Sequence, residues 1–332
     1  MGKKIRDTDY LFLSTRLRAL ERNVLTSARM ERMIDAPTAA DAAKVLSEIG
    51  YSDFSPSSDS ELNEALRVER EKVFEELYRF APDRSVVDVF KVKYDYHNAK
   101  TALKARAMGL DGRRLLVDAG RMEAERLLEA MEEGNYAALP GEMAEAAREA
   151  AEVLSATGDP QRSDFILDRA YYAEMLRCAE DTGSAFLVRY VRATIDAANL
   201  RSTVRTLRMK KGGDFLRKVL FEGGAIPTDR VMAAALNGNL EELYRTGELK
   251  AAAELGTAAI AGGSLTAFEK ACDDAVTSFA ASAKRVPFGV EVAIGYLVAK
   301  EIEFTAVRII MSSRMAGIDG ETIRERLRES YV

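Results

Sequence analysis

Asp95-Tyr96-His97-Asn98-Ala99-Lys100 returns as Asp196-Ala197-Ala198-Asn199-Leu200-Arg201 and, less closely, as Glu303-Phe304-Thr305-Ala306-Val307-Arg308. Each copy lies in a segment with helical spacing. Leu187, Val191 and Ile195 run into the second, Ile294, Val298 and Ile302 into the third, and Leu66, Val73 and Leu77 form the same stripe ahead of the first. Apolar residues at intervals of three and four define one face of a helix. No pair of alternating runs is joined by Asn-Gly or Asp-Gly, so the spacing predicts an all-α chain. On a helix, residues i and i+3 share a face, while i+5 lies well round the cylinder. Asp95 and Asn98 are therefore expected to act together, and Lys100 to point elsewhere.

Other motifs repeat in the same order. Glu31-Arg32-Met33-Ile34-Asp35-Ala36 matches Glu125-Arg126-Leu127-Leu128-Glu129-Ala130 and Asp229-Arg230-Val231-Met232-Ala233-Ala234. Leu167-Asp168-Arg169-Ala170 resembles Phe268-Glu269-Lys270-Ala271. Three distinct motifs in parallel order point to duplication rather than to a shared amphipathic pattern. The repeats cut the chain into helical lobes at 1–110, 111–212 and 213–332, with equivalent long helices centred on Asn98, Asn199 and Ala306. Met108-Gly109-Leu110-Asp111-Gly112 recurs as Ala316-Gly317-Ile318-Asp319-Gly320, and Ser14-x-Arg16 echoes Asn98-x-Lys100. These terminal fragments are expected to cover exposed unit faces or to close the array into a ring.

The seven prolines fall at the ends of helical patterns, and Ser58 with Glu61 reads as a capping box for a helix reaching about Phe80. The balance of 48 basic and 53 acidic residues, net -5, argues against a general nucleic-acid binder. Cys178 and Cys272 stand far apart without a CxxC partner, which excludes a disulfide framework and suits a reducing compartment. The longest apolar run, Val292 to Ala299, falls far short of the ~20 residues that span a bilayer. The start, MGKKIRDTDY, has two lysines but no apolar core of a signal peptide, and Arg6 stands where a Gly2 myristoylation motif wants Ser or Thr.

Candidate chemistry is sparse. One carboxylate per helix without histidine makes a poor metal site. Acid–base hydrolysis would need two converging carboxylates, and none are indicated. His97, the single histidine, sits mid-helix with no GxSxG elbow in the chain. No GxxxxGK[ST] exists to cradle phosphate, so neither nucleotide nor other cofactor is expected. Asp273-Asp274 and Glu132-Glu133 read as solvated pairs. The basic series Arg201, Arg205, Arg208, Lys210, Lys211 reads as a docking face for an acidic partner or a solvated helix end. For Asp95, Asn98, Lys100, Asp196, Asn199, Arg201, Glu303 and Arg308, two roles stay open: hydrogen bonds that lock units together, or contact with a partner.

The run Gly289-Val-Glu-Val-Ala-Ile-Gly-Tyr296-Leu-Val-Ala-Lys300-Glu301-Ile-Glu303-Phe-Thr-Ala-Val-Arg308 resembles the signature end of the C subunits of bacterial and archaeal V/A-type ATPases, equivalent to the eukaryotic d subunit. The tail Ile323 to Val332, the entry Tyr10 to Glu21 and the Asp196-x-x-Asn199-Leu-Arg201 motif are similar to the same family. The resemblance implies a non-catalytic, funnel-shaped connector with three lobes in pseudo-threefold arrangement. It would sit at the cytoplasmic face of the membrane, attached peripherally. Its partners would be the central-stalk subunits and the membrane rotor ring, between which it would pass torque. Ala306 departs from the pattern, because the other two copies carry Asn there. A helical scaffold unconnected with the ATPase, or a helical lyase with a closed acidic pocket, are the alternatives from other classes.

Overall fold

A computed structural model describes residues 5–51 and 56–331, and every regular element among them is helical. The readings of Gly2, Lys3, Lys4 and Val332 lie outside the described residues. In chain order the helices are α1 (Leu11–Leu20), α2 (Ser27–Ile34), α3 (Ala39–Ser47), α4 (Asp59–Phe80), α5 (Ser85–Met108), α6 (Ala124–Glu133), α7 (Met143–Thr157) and α8 (Pro160–Asp181). There follow α9 (Ala185–Arg208), α10 (Gly213–Val219), α11 (Thr228–Asn237), α12 (Leu240–Leu243), α13 (Lys250–Ile260), α14 (Leu265–Ala281), α15 (Val290–Met315) and α16 (Gly320–Arg326).

Local sequence explains the boundaries. Thr26, Thr38, Ser58, Asp159, Ser264 and Asp319 each accept a first-turn N–H with the side chain, and Pro160 opens α8 where no amide bond is needed. The capping box at α4 is displaced by one residue. Ser58 Oγ accepts from Glu61 N–H, but the Glu61 carboxylate accepts from the N–H and hydroxyl of Ser57, each at 2.7 Å.

The chain divides into two compact units. One comprises Met1–Arg84, Leu200–Lys211 and Ala233–Val332; the other comprises Ser85–Asn199 and Gly212–Met232. In the second, α5 packs on α6, α7 and α8 around Tyr96, Leu103, Leu127, Met131, Met143 and Leu167. In the first, α15 is central, with every residue from Val292 to Lys300 buried and α1, α2, α3, α4, α14 and α16 packed against it. A helix apolar on all sides belongs inside a bundle, and no helix among the described residues is long and apolar enough to cross a membrane. The N-terminal helices thus meet the C-terminal long helix within one unit. Ser27 and Ser330 hydroxyls lie 2.8 Å apart, and Arg324 reaches Glu31 and Asp35.

Candidate functional site

The three repeated acids sit in buried polar nodes, each closed on the protein's own main chain. In the first node, Asp95 Oδ1 accepts from Arg121 N–H at 2.9 Å and Met122 N–H at 3.3 Å, and Oδ2 accepts from Arg121 Nε at 2.7 Å. Arg121 also reaches Glu174, which accepts from Tyr96 Oη. In the second, Asp196 accepts from the N–H groups of Ala225 and Ile226, both at 3.1 Å. In the third, Glu303 accepts from Leu25 N–H at 2.8 Å, from Tyr51 Oη at 2.5 Å and from Lys300 Nζ. The acceptor is the repeated part of each node. The donors are loop amides immediately ahead of α6, α11 and α2, which are the three short helices whose sequences match.

The Asn position completes the pattern. Asn98 donates to Val117 C=O and accepts from Val117 N–H, at 2.9 and 2.8 Å. Asn199 makes the same exchange with Phe221, both bonds at 2.8 Å. A loop peptide buried away from water must find such partners, and a carboxamide supplies a donor and an acceptor together. Ser14 carries out the exchange with its single hydroxyl, accepting from Gly289 N–H at 3.1 Å and donating to Gly289 C=O at 3.5 Å. The terminal echo of Asn98 is therefore a functional echo as well, and it ties α1 to the start of α15.

The departure at Ala306 has a physical reason. Val117 precedes Arg121, and Phe221 precedes Ala225, by a distance that from Leu25 leads back to Glu21. Glu21 N–H is already bonded to Leu17 C=O within the last turn of α1, and Glu21 C=O accepts from Val24 N–H. A peptide that arrives in helical form has no bonds left for an Asn to satisfy. The acids differ for a related reason. A side chain on Gly120 would collide with Asp95 Oδ1, and one on Gly224 with Asp196 Oδ1. Where the acid is the longer Glu303, buried Val24 occupies the corresponding loop position.

The base position turns to another element. Lys100 pairs with Asp168 at 2.6 Å and Lys104 with Asp164 at 2.7 Å, from α5 to α8. Arg201 pairs with Asp273, and Arg205 with Glu269, from α9 to α14. This makes Asp168 the equivalent of Asp273, one turn from the sequence match of Asp168 with Glu269. Two turns of a regular amphipathic helix look alike in sequence, and the ion pairs fix which is equivalent. Arg308 lies near the C-terminal end of α15 and is exposed.

Several sequence expectations need correction. Asp273 and Asp274 are not merely solvated: Asp273 also accepts from Arg328 Nε at 2.6 Å, and Asp274 from Glu329 N–H at 2.8 Å, so the pair holds the C-terminal segment. The basic series lies largely at the surface, but three of its five side chains bond within the protein. Arg201 and Arg205 are paired, and Arg208 donates to Ala259 and Gly263 C=O at the end of α13, leaving the exposed Lys210 and Lys211. Sequence spacing does not identify Arg121, Glu174, Tyr51 or Lys300 as node partners. Their signal lies in the third dimension, since none repeats at a fixed spacing.

Electrostatics separates the nodes. Burial raises the Asp95 carboxyl above its ordinary range, and Arg121 opposes the shift. Burial raises Asp196 to about 6, opposed by the Ile226 and Ala225 amides and by Arg192 at a distance. His97 is exposed, with Nε2 3.3 Å from Leu115 C=O. A cleft of about 260 Å³ beside the third node is lined by Arg16, Glu69, Lys72, Glu76, Tyr296 and Lys300. Its charges pair among themselves or with the node: Arg16 with Glu76, Lys72 with Glu69, Lys300 with Glu303. Chemically the nodes can lock main chain in place.

The sequence matches the family described as ATP synthase (C/AC39) subunit over residues 13–326. It is similar to the C subunit of the V-type sodium ATPase of Enterococcus hirae, 25% identical over 326 residues that cover 97% of this chain and 99% of the relative. It is similar to the C subunit of the A-type ATP synthase of Methanocaldococcus jannaschii, 26% identical, covering 96% and 86%. The C subunit of the V-type ATP synthase of Thermus thermophilus is 25% identical, covering 93% and 94%.

Proposed function

The chain belongs to the ATP synthase (C/AC39) subunit family, and on that premise we propose that it is a non-catalytic connector which joins the central stalk to the membrane rotor ring and passes torque between them. It acts at the cytoplasmic face of the membrane, held there through protein partners. Its three sequence repeats, 1–110, 111–212 and 213–332, form lobes in pseudo-threefold, funnel-like arrangement, with the stalk received in the socket. The repeated acid, Asn and base residues stiffen the lobes.

The observation that carries this reading is the commitment of the repeated polar groups. Asp95, Asn98, Asp196, Asn199 and Glu303 are all spent on the protein's own loops, and Lys100 and Arg201 on its own helices. Torque transmission requires parts that do not yield. Buried, fully bonded peptide groups supply that stiffness, because opening them strands donors and acceptors without water. A substrate site would instead leave converging groups unsatisfied in a cavity.

The test is reconstitution of the stalk and ring with and without this chain. Coupling of ATP hydrolysis to ion movement is expected only when the chain is present. Equal coupling in its absence would overturn the connector reading.

A further inference from the structure

The three node acids are buried alike but compensated unlike. Asp95 faces the Arg121 guanidinium, and Glu303 the Lys300 ammonium. Asp196, only 5% exposed, has no Lys or Arg within ion-pair distance among the described residues. One main-chain N–H occupies each of its oxygens, Ala225 at Oδ2 and Ile226 at Oδ1. The nearest charged groups bond to other partners, although Arg192 Nε is buried without a hydrogen bond. On α9, Arg192 sits one turn back and pairs with Glu180 of α8 at 3.3 Å. On the loop, Glu222 accepts from Thr228 Oγ1 at 2.5 Å. The side of α8 that meets Gly223 presents Leu176. An ionised carboxylate so placed keeps two good hydrogen bonds but carries an uncompensated buried charge.

We propose that Asp196 is a proton-operated latch on the loop between α10 and α11. Ionised, it holds both the Ala225 and the Ile226 amides. On taking a proton from solvent, one of its oxygens becomes a hydroxyl, a weaker acceptor already bearing hydrogen, and the amide bonded there is released. No other bond changes. Asn199 keeps its exchange with Phe221 in both states, so the loop loosens at its approach to α11 and stays anchored at the other end. The latch is a property of the chain alone and does not depend on the connector reading.

Because the carboxyl stays covered when one amide lets go, protonation weakens this local contact even as it relieves the buried charge. The experiment is hydrogen exchange by mass spectrometry on the full chain from about pH 7.5 to about pH 5, with rates scaled for intrinsic exchange. Protection of the peptide spanning residues 222–227 should fall about tenfold on acidification, roughly the worth of one hydrogen bond. The peptide spanning residues 118–123, whose acid has Arg121, should change less, and D196N should abolish the pH dependence at 222–227. Constant protection in the wild type, an equal fall in D196N, or an equal fall at 118–123 would each overturn the latch. If D196N does not fold, titration of the Asp196 carboxyl by ¹³C NMR in the wild type decides. A midpoint near 6 supports the latch, and one in the ordinary range of about 4 removes it.

Discussion

Gly224 lies against the Asp196 carboxylate so closely that a single added methyl group would overlap Oδ1. Gly120 stands in the same relation to Asp95. The short acid and the bare loop residue are one device, since aspartate reaches the amides beyond the glycine only if the backbone comes right up to it. Gly224→Ala and Gly120→Ala should each lower stability by about 1–3 kcal/mol, the range for forcing extra volume into a packed site. Urea unfolding of the full chain checks this. A change within experimental error at both positions would show that the loops can back away freely.

Asn199→Ala strands the N–H and C=O of Phe221, and should cost about 1–3 kcal/mol. The reverse change tests the explanation of Ala306. Because Glu21 is already bonded within its own helix, Ala306→Asn brings a carboxamide into a 6% exposed site with nothing to bind, and should destabilise rather than restore a third lock. Thermal melts of both variants distinguish locking from partner contact. If Asn199→Ala leaves the melting temperature alone but weakens assembly with the stalk, the Asn belongs to an interface instead.

The acids, the Asn pair and the echo at Ser14 were legible because side chains repeat in sequence. Their partners were not, because Val117, Phe221, Ala225 and Leu25 contribute main-chain atoms that every residue carries. Gly120 and Gly224 were the available clue, each just ahead of the amides that bind its Asp, where Val24 stands just ahead of the Leu25 amide that binds Glu303. The register of α14 against α8 misled by a turn, since regular amphipathic helices resemble themselves at that shift. The roles of Asp273 and Asp274 were hidden because charged pairs on a helix face look the same whether water or Arg328 meets them.

Lys210 is the one non-glycine with positive φ among the described residues, at 55°. It follows the end of α9 where Gly109 (65°) follows α5 and Gly317 (71°) follows α15. The left-handed conformation costs a residue with a Cβ roughly 1 kcal/mol relative to glycine. Its ammonium is exposed. Lys210→Gly should therefore raise stability by a few tenths of a kcal/mol, up to about 0.6 kcal/mol, after allowing for the greater freedom glycine gains on unfolding. Chemical denaturation measures it, and a loss of stability would mean that the lysine side chain has a stabilising contact which outweighs the strain.

The last prediction concerns pH, and its sign is opposite to the usual carboxylate effect. An aspartate whose cation partner outweighs its burial titrates below its unfolded value, and its stabilisation is lost as pH falls. Asp196 titrates at about 6 in the fold, above the ordinary 3.8, because burial dominates. Between those values the folded chain holds a proton at this site that the unfolded chain has released. The Asp196 contribution is therefore fully present below about pH 4 and is lost as pH rises through about 6, amounting to something on the order of 3 kcal/mol. Asp196→Asn removes the titrating group, so the wild-type minus variant difference in unfolding free energy should decline between about pH 4 and about pH 6.5 and flatten above it. Paired urea titrations across that range isolate the site from every other titrating group. A difference that rises with pH would mean that Asp196 gains more from the Ala225 and Ile226 amides than burial takes away, and the second node would then behave like an ordinary ionised cap.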